Sequence, residues 1–239
     1  MRVLSVVHHR NAAAGVFNDP ARAAGHELVE WIPHEDAQPA AEEFDAAMVF
    51  GAVAQVDEED IYPWLRPEKE LVRTLLERDT PLLGVCFGSQ LIAEVSGAEV
   101  RRAERPEIGW DEIELTPEGM ADPVLGFLPA RFEGFGYHHY EWLLPPGGVA
   151  LARSALCLQA FRLEHRSVWG VQFHPEVTLA DLRSWLDAWD GDPYAVASGL
   201  DPEAIRAESA ERIAVWNDVG RGISDRFLAV AAGALALER

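Results

Sequence analysis

Cys86, His174 and Glu176 are the residues whose types and spacing suit covalent chemistry. A thiol attacks a carbonyl well when a neighbouring base takes its proton, and that base needs an acceptor to orient it. His174-Pro175-Glu176 offers base and acceptor two residues apart. Pro175 fixes φ, and the i, i+2 spacing on an extended backbone puts both side chains on one side. Attack by sulfur creates an oxyanion, which needs two aimed backbone N–H groups. The amide of Phe87, directly after Cys86, is one candidate, and an amide of the Gly51-Ala52 turn is the other.

The elements that must position these groups read as follows. Leu82 to Val85 is a short apolar run bounded by Pro81, the pattern of a buried strand. Leu91, Ile92 and Val95 then recur at helical spacing, and Gly97 closes the segment like a helix C-cap. Cys86 therefore sits where a strand turns sharply into a helix, a place that projects its side chain and favours thiolate. Gly84 and Gly88 flank it at two residues either side, the spacing of a nucleophile elbow. Further strands are expected over residues 2–8, 27–32, 44–50, 100–115, 149–152, 156–162 and 168–173, with a short Ala-rich helical stretch between the first two. Strand, helix and strand in this alternation predict a doubly wound, flavodoxin-like α/β domain over residues 1–190, its mostly parallel sheet covered by helices on both faces. Ligands then belong at the carboxyl ends of the strands, where Gly51, Cys86 and His174 fall. Pro67 opens a helix to Arg78. Residues 191–239 read as a helical C-terminal extension packed on the domain, with a helix from Pro202 to about Val219 and an interruption at Gly220 and Gly222.

Composition narrows the function further. The formal charge of −20 argues against nucleic acid and anionic membrane surfaces as partners. Two cysteines, Cys86 and Cys157, argue against a disulfide framework and point to a reducing, cytoplasmic setting. No apolar run approaches the roughly 18 residues of a membrane span. Lys69, the only lysine and an exposed-looking one, follows no glycine-rich loop, so a Walker-type phosphate site is not expected. Adjacent histidines, His8-His9 and His138-His139, point to opposite faces of an extended chain and suit one metal poorly. No metal and no cofactor are expected.

Gly84-x-Cys86-x-Gly88-x-Gln90 together with Gln172-Phe-His174-Pro-Glu176 resembles the class I, triad-type glutamine amidotransferases. The wider pattern is similar to the free-standing branch that resembles the glutaminase domain of GMP synthase. It is carried by Gly51-Ala52-Val53, Tyr62 to Leu65, Glu107 to Trp110, Tyr137 to Tyr140 and Gln159 to Arg162, and covers roughly residues 1–180 in order. The resemblance implies hydrolysis of the side-chain amide of L-glutamine through a γ-glutamyl thioester on Cys86, releasing ammonia. It implies that Gln90 and Gly88 help hold the substrate and that His138 belongs to the segment passing over it. It also implies a separate synthetase chain as a possible partner.

This chain departs from the family pattern at three places. Ala52 replaces a glycine of the oxyanion loop and would be strained there if the loop needs positive φ. Tyr140 replaces an acidic residue whose contact with the substrate's amino-acid end is either lost or passed to Glu141. Ser89 stands where many relatives carry His. Hydrolysis of another γ-glutamyl compound, a partner-dependent glutaminase and a non-catalytic binding protein stay open as alternatives.

Overall fold

The computed structural model describes residues 1–9 and 14–233. In chain order the elements are β1 (Arg2–Val6), α1 (Asn18–Ala23), β2 (Glu27–Trp31), β3 (Ala46–Val49), α2 (Leu65–Glu77), β4 (Leu82–Val85), α3 (Phe87–Val95) and β5 (Val100–Leu115). They continue with α4 (Pro117–Met120), β6 (Arg131–Trp142), β7 (Gly148–Arg153), β8 (Leu158–Leu163), β9 (Val168–Val171), α5 (Leu179–Asp187), α6 (Pro193–Ala197) and α7 (Pro202–Ala231). The described strands form one sheet in the order β2-β1-β3-β4-β9-β8-β7-β5-β6. From β2 to β9 every neighbour is parallel, and from β9 outward every neighbour is antiparallel.

The parallel half is covered on both faces, as its near-continuous apolar strands require. Val3, Met48, Leu83 and Trp169 point to one side and pack with Ile223 and Phe227 of α7. Their chain neighbours Leu4, Ala47, Leu82 and Val168 point to the other and pack with Leu71, Leu75, Leu91 and Ile92 of α2 and α3. This is the doubly wound architecture expected. β5 and β6 form a long hairpin whose register shifts between Arg102 and Glu107.

Two expectations change. The C-terminal helix does not break at Gly220 or Gly222 but runs unbroken to Ala231. A Cβ at Gly220 would lie 1.9 Å from the carbonyl oxygen of Pro175, so glycine is what lets α7 press against the His174 loop. Lys69 is not exposed: its side chain is 12% accessible and sits between Glu59 and Glu94, 2.8 Å from the latter. Of the Ala-rich stretch, residues 10–13 lie outside the described residues, as do residues 234–239 of the extension. The part that follows is a short 3-10 turn, Gly15–Phe17, leading into α1.

Candidate active site

Cys86 adopts φ 51° and ψ −110°, an unfavourable conformation for a residue with a side chain. It joins β4 directly to α3 with no intervening loop. The flanking glycines have a steric cause: a Cβ at Gly84 would lie 2.4 Å from Gly88 O, and one at Gly88 would lie 2.0 Å from Val49 O. Side chains at either position would push α3 off the strands and open the elbow. Phe87 opens α3, and its N–H, like the others of a first helical turn, has no intrahelical acceptor. Ser89 Oγ donates to Cys86 O at 2.7 Å and accepts from Trp142 Nε1 at 3.0 Å, so the serine ties the elbow to β6.

β9 delivers the second piece. His174 Nδ1 lies 2.8 Å from Glu176 Oε1, which leaves its other ring nitrogen for Cys86, whose charge acts on the ring. Both residues are buried. Burial opposes the charged imidazole, but the Cys86 thiolate and the Glu176 carboxylate outweigh it and raise the His174 pKa well above the ordinary histidine value. The loop itself is held from behind. Val16 N donates to Glu176 O at 2.9 Å, Trp216 Nε1 to His174 O at 2.8 Å and Asn217 Nδ2 to Val177 O at 2.6 Å. The Trp185 ring stands edge-on to the imidazole at 4.9 Å.

β3 delivers the third. A Cβ on Gly51 would lie 3.2 Å from His174 Cε1, so the Gly51-Ala52 turn lies directly against the imidazole. Neither Gly51 nor Ala52 is among the residues with positive φ. The strain expected at Ala52 is therefore absent, because the turn is built in ordinary backbone geometry open to any L-residue. Gly51 O accepts from His8 Nδ1 at 3.0 Å, and His8 Nε2 lies 3.0 and 3.1 Å from the two oxygens of Glu68.

The residues expected to touch substrate are nearly all engaged by protein groups. Gln90 Nε2 donates to Tyr140 O at 3.1 Å and to Gln172 Oε1 at 3.4 Å. His138 Nδ1 donates to Tyr140 O at 3.0 Å, while its Nε2 faces Glu107 Oε2 at 3.2 Å. Cys157 Sγ and Gln159 Nε2 both donate to that same Glu107 oxygen, at 3.0 and 2.8 Å. Burial pushes the Glu107 carboxyl up, but the hydrogen bond and charge of His138 bring it below its ordinary range. The same burial, with Glu107 beside it, pushes the Cys157 thiol far up, so Cys157 is a protonated donor. The side chain of His138 thus braces β5, β6 and β8, and Gly88 packs its backbone on β3. Glu141, the candidate to take over the acidic contact beside Tyr140 if that contact is not lost, is paired with Arg101 at 2.9 Å.

Sequence reasoning missed His8, Glu68 and Gln172, whose Nε2 lies 3.7 Å from Cys86 Sγ. One signal was present for Glu68. It falls on the apolar stripe Leu65, Leu71, Val72 and Leu75 of α2, where a buried carboxylate requires a partner.

The class-I glutamine amidotransferase family model matches residues 21–186 of this chain. A glutamine-hydrolysing GMP synthase component from Sulfolobus acidocaldarius is 39% identical over 101 residues, covering 41% of this chain and 52% of that protein. The chain spans about half or less of the first GMP synthase relatives it matches. The glutamine amidotransferase-like protein YfeJ of Salmonella typhimurium is 31% identical over 75% of this chain and 77% of its own. A crystal structure of a glutamine amidotransferase from Thermotoga maritima superposes with a TM-score of 0.83 at 25% identity, covering 95% of this chain and 98% of that one. The elbow, the His-Pro-Glu strand end and these matches together place the chain in the class-I glutamine amidotransferase family.

Proposed function

We propose that this protein hydrolyses the side-chain amide of L-glutamine, with Cys86 as nucleophile, His174 as base and acid, and Glu176 as the group that orients His174. The observation that carries the reading is the buried line from Cys86 through the imidazole to Glu176, 2.8 Å at its second step, on an elbow whose nucleophile has positive φ. Cys86 Sγ attacks the amide carbon, and the oxyanion takes hydrogen bonds from the Phe87 and Ala52 amides. Collapse breaks the C–N bond while the imidazolium of His174 gives its proton to the departing nitrogen, which leaves as ammonia. Water then loses a proton to His174 as it attacks the γ-glutamyl thioester. Cleavage releases glutamate and returns the thiolate and imidazolium. Gln90, Gly88 and the backbone of the His138 segment frame the substrate.

Intact-mass analysis after brief exposure to glutamine is the direct test, since a γ-glutamyl adduct confined to Cys86 names the acyl group. Cys86→Ala should lower ammonia release by about 10⁴-fold or more, because such units fail together. Release as fast as wild type would sink the reading.

A second substrate reading is favoured by Tyr140 and by Glu141 turned to Arg101, which leave the family's acidic contact unfilled. On that reading the same triad hydrolyses a different γ-glutamyl amide, and kcat/KM across a panel of γ-glutamyl amides against glutamine separates the two. Several relatives are named as one component of a multi-chain GMP synthase, which supports a separate synthetase chain as the ammonia acceptor. Stimulation of glutaminase turnover by that chain would support this assignment.

A further inference from the structure

We infer that the buried pair His8–Glu68 sets the Gly51-Ala52 peptide in the orientation that aims the Ala52 N–H at the oxyanion. The inference rests on the acyl-transfer reading above and adds a positioning residue to it. His8 follows β1, at the carboxyl end of the sheet, and its side chain is 2% accessible; that of Glu68, on α2, is 0% accessible. The imidazole is wedged between the rings of Trp64 and Phe87, each with its centroid 5.1 Å away. Glu68 grips Nε2 through both carboxylate oxygens, so the ring has no freedom to turn.

The remaining nitrogen settles the peptide. His8 Nδ1 stands 3.0 Å from Gly51 O, and a carbonyl oxygen only accepts, so Nδ1 carries the hydrogen. The Gly51–Ala52 bond is trans, as are all peptide bonds of the described residues. In a trans peptide the C=O and N–H point in opposite directions. With Gly51 O turned to His8, the Ala52 N–H is turned away from it. The other side of this turn is occupied by His174, whose Cε1 would stand 3.2 Å from a Cβ on Gly51. A flip of this peptide would point a carbonyl oxygen at the place where negative charge develops. It would also strand the His8 N–H, buried with no acceptor. The pair therefore disfavours the inactive orientation, and it does so without touching substrate.

Iodoacetamide gives the test its discrimination. It alkylates Cys86 by displacement at a saturated carbon, forming no oxyanion, whereas amide hydrolysis passes through one twice. His8→Leu/Glu68→Leu removes the donor together with the carboxylate that would otherwise be left unpaired. Its kcat on the best γ-glutamyl amide should fall by about 10²- to 10³-fold, the usual loss of one oxyanion donor. KM should stay within about threefold and Cys86 alkylation within about twofold of wild type. His8→Asn in the Glu68→Leu background, which returns an N–H near the place of Nδ1, should recover most of the lost kcat. A kcat loss under tenfold overturns the inference, and so does alkylation that falls in step with kcat. Should the double variant not fold, nitrogen-15 spectra of the wild type decide, since a His8 Nδ1 that bears no proton overturns it. Wild-type protein inactive on every γ-glutamyl amide would instead sink the underlying reading. Turnover in wild type with an unaffected double variant sinks only this inference.

Discussion

At Cys86 the backbone is strained so that the sulfur can stand clear of both the strand and the helix. Strain of this kind costs on the order of 1–3 kcal/mol per residue and persists only where the surroundings enforce it. Here Val49, Gly84 and Gly88 do so by packing backbone against backbone. Cys86→Gly and Cys86→Ala both delete the sulfur, but only glycine relaxes φ 51°. The glycine variant should be the more stable by about 1 kcal/mol in urea titrations, and both should be inactive. The two cysteines should also separate chemically. Burial and Glu107 keep Cys157 protonated, whereas Cys86 faces an imidazole. Iodoacetamide at pH 8 should therefore label Cys86 and leave Cys157 intact in peptide maps. For His174 the folded pKa lies above the unfolded one, so its contribution to stability is complete below about pH 6.5 and is lost as pH rises through the folded value. Wild type should lose stability relative to His174→Gln across that rise, seen as converging urea midpoints. Cys86, His174 and Glu176 were legible in sequence because local motifs carry them. His8 was not: its partners Gly51 and Glu68 are 43 and 60 residues away, and no local spacing encodes such a meeting.

The elements that support the site divide in the same way. β4 with α3, and β5 with its alternating residues, follow local hydrophobic period, and their bounds fall where the pattern puts them. Local propensity predicts a break in α7 because each interior glycine costs a helix about 1 kcal/mol relative to alanine. The gain that offsets it is tertiary, a contact between α7 and the Pro175 carbonyl that only a bare Cα permits. β6 was similarly obscured by Gly134 and Gly136, and a Cβ at Gly134 would meet Trp216 of α7 at 3.1 Å. The two helix glycines make a controlled comparison. Gly220→Ala should destabilise by about 1–3 kcal/mol and lower turnover, since the obstruction is backbone. Gly222→Ala meets only the ring of the exposed Phe127, which can swing aside, so it should keep the helix gain and raise stability by up to about 1 kcal/mol in urea titrations.

For the whole molecule, the doubly wound half was predictable because fully buried parallel strands have to be apolar on both sides, and β3 and β4 are. The order of the antiparallel strands was not, since β7 forms a local hairpin with β8 but meets β5 only through the distant pairs Glu114↔Arg153 and Leu115↔Ala152. The net charge of −20 is consistent with a surface that repels polyanions, and no helix among the described residues is long and apolar enough to cross a membrane. α7 packs on one face of the sheet beside α1 and α5, with Ile223 and Phe227 fully buried. Deleting it should expose that face, and calorimetry of the truncated chain should show no cooperative transition.

The clamp behind His174 also bears on how the protein comes to life. The loop carrying base and acceptor is fastened by Val16, near the start of the chain, and by Trp216 and Asn217, about 40 residues beyond it. Synthesis runs from the N-terminus, so Cys86 and His174 leave the ribosome before the helix that holds the loop has been made. The thiol is therefore paired with a correctly seated imidazole only once α7 has docked. On the proposed reading, a chain that ends before α7 carries Cys86, His174 and Glu176 without the Trp216 and Asn217 contacts that seat the loop, and its ammonia release should fall far below that of a chain that includes α7.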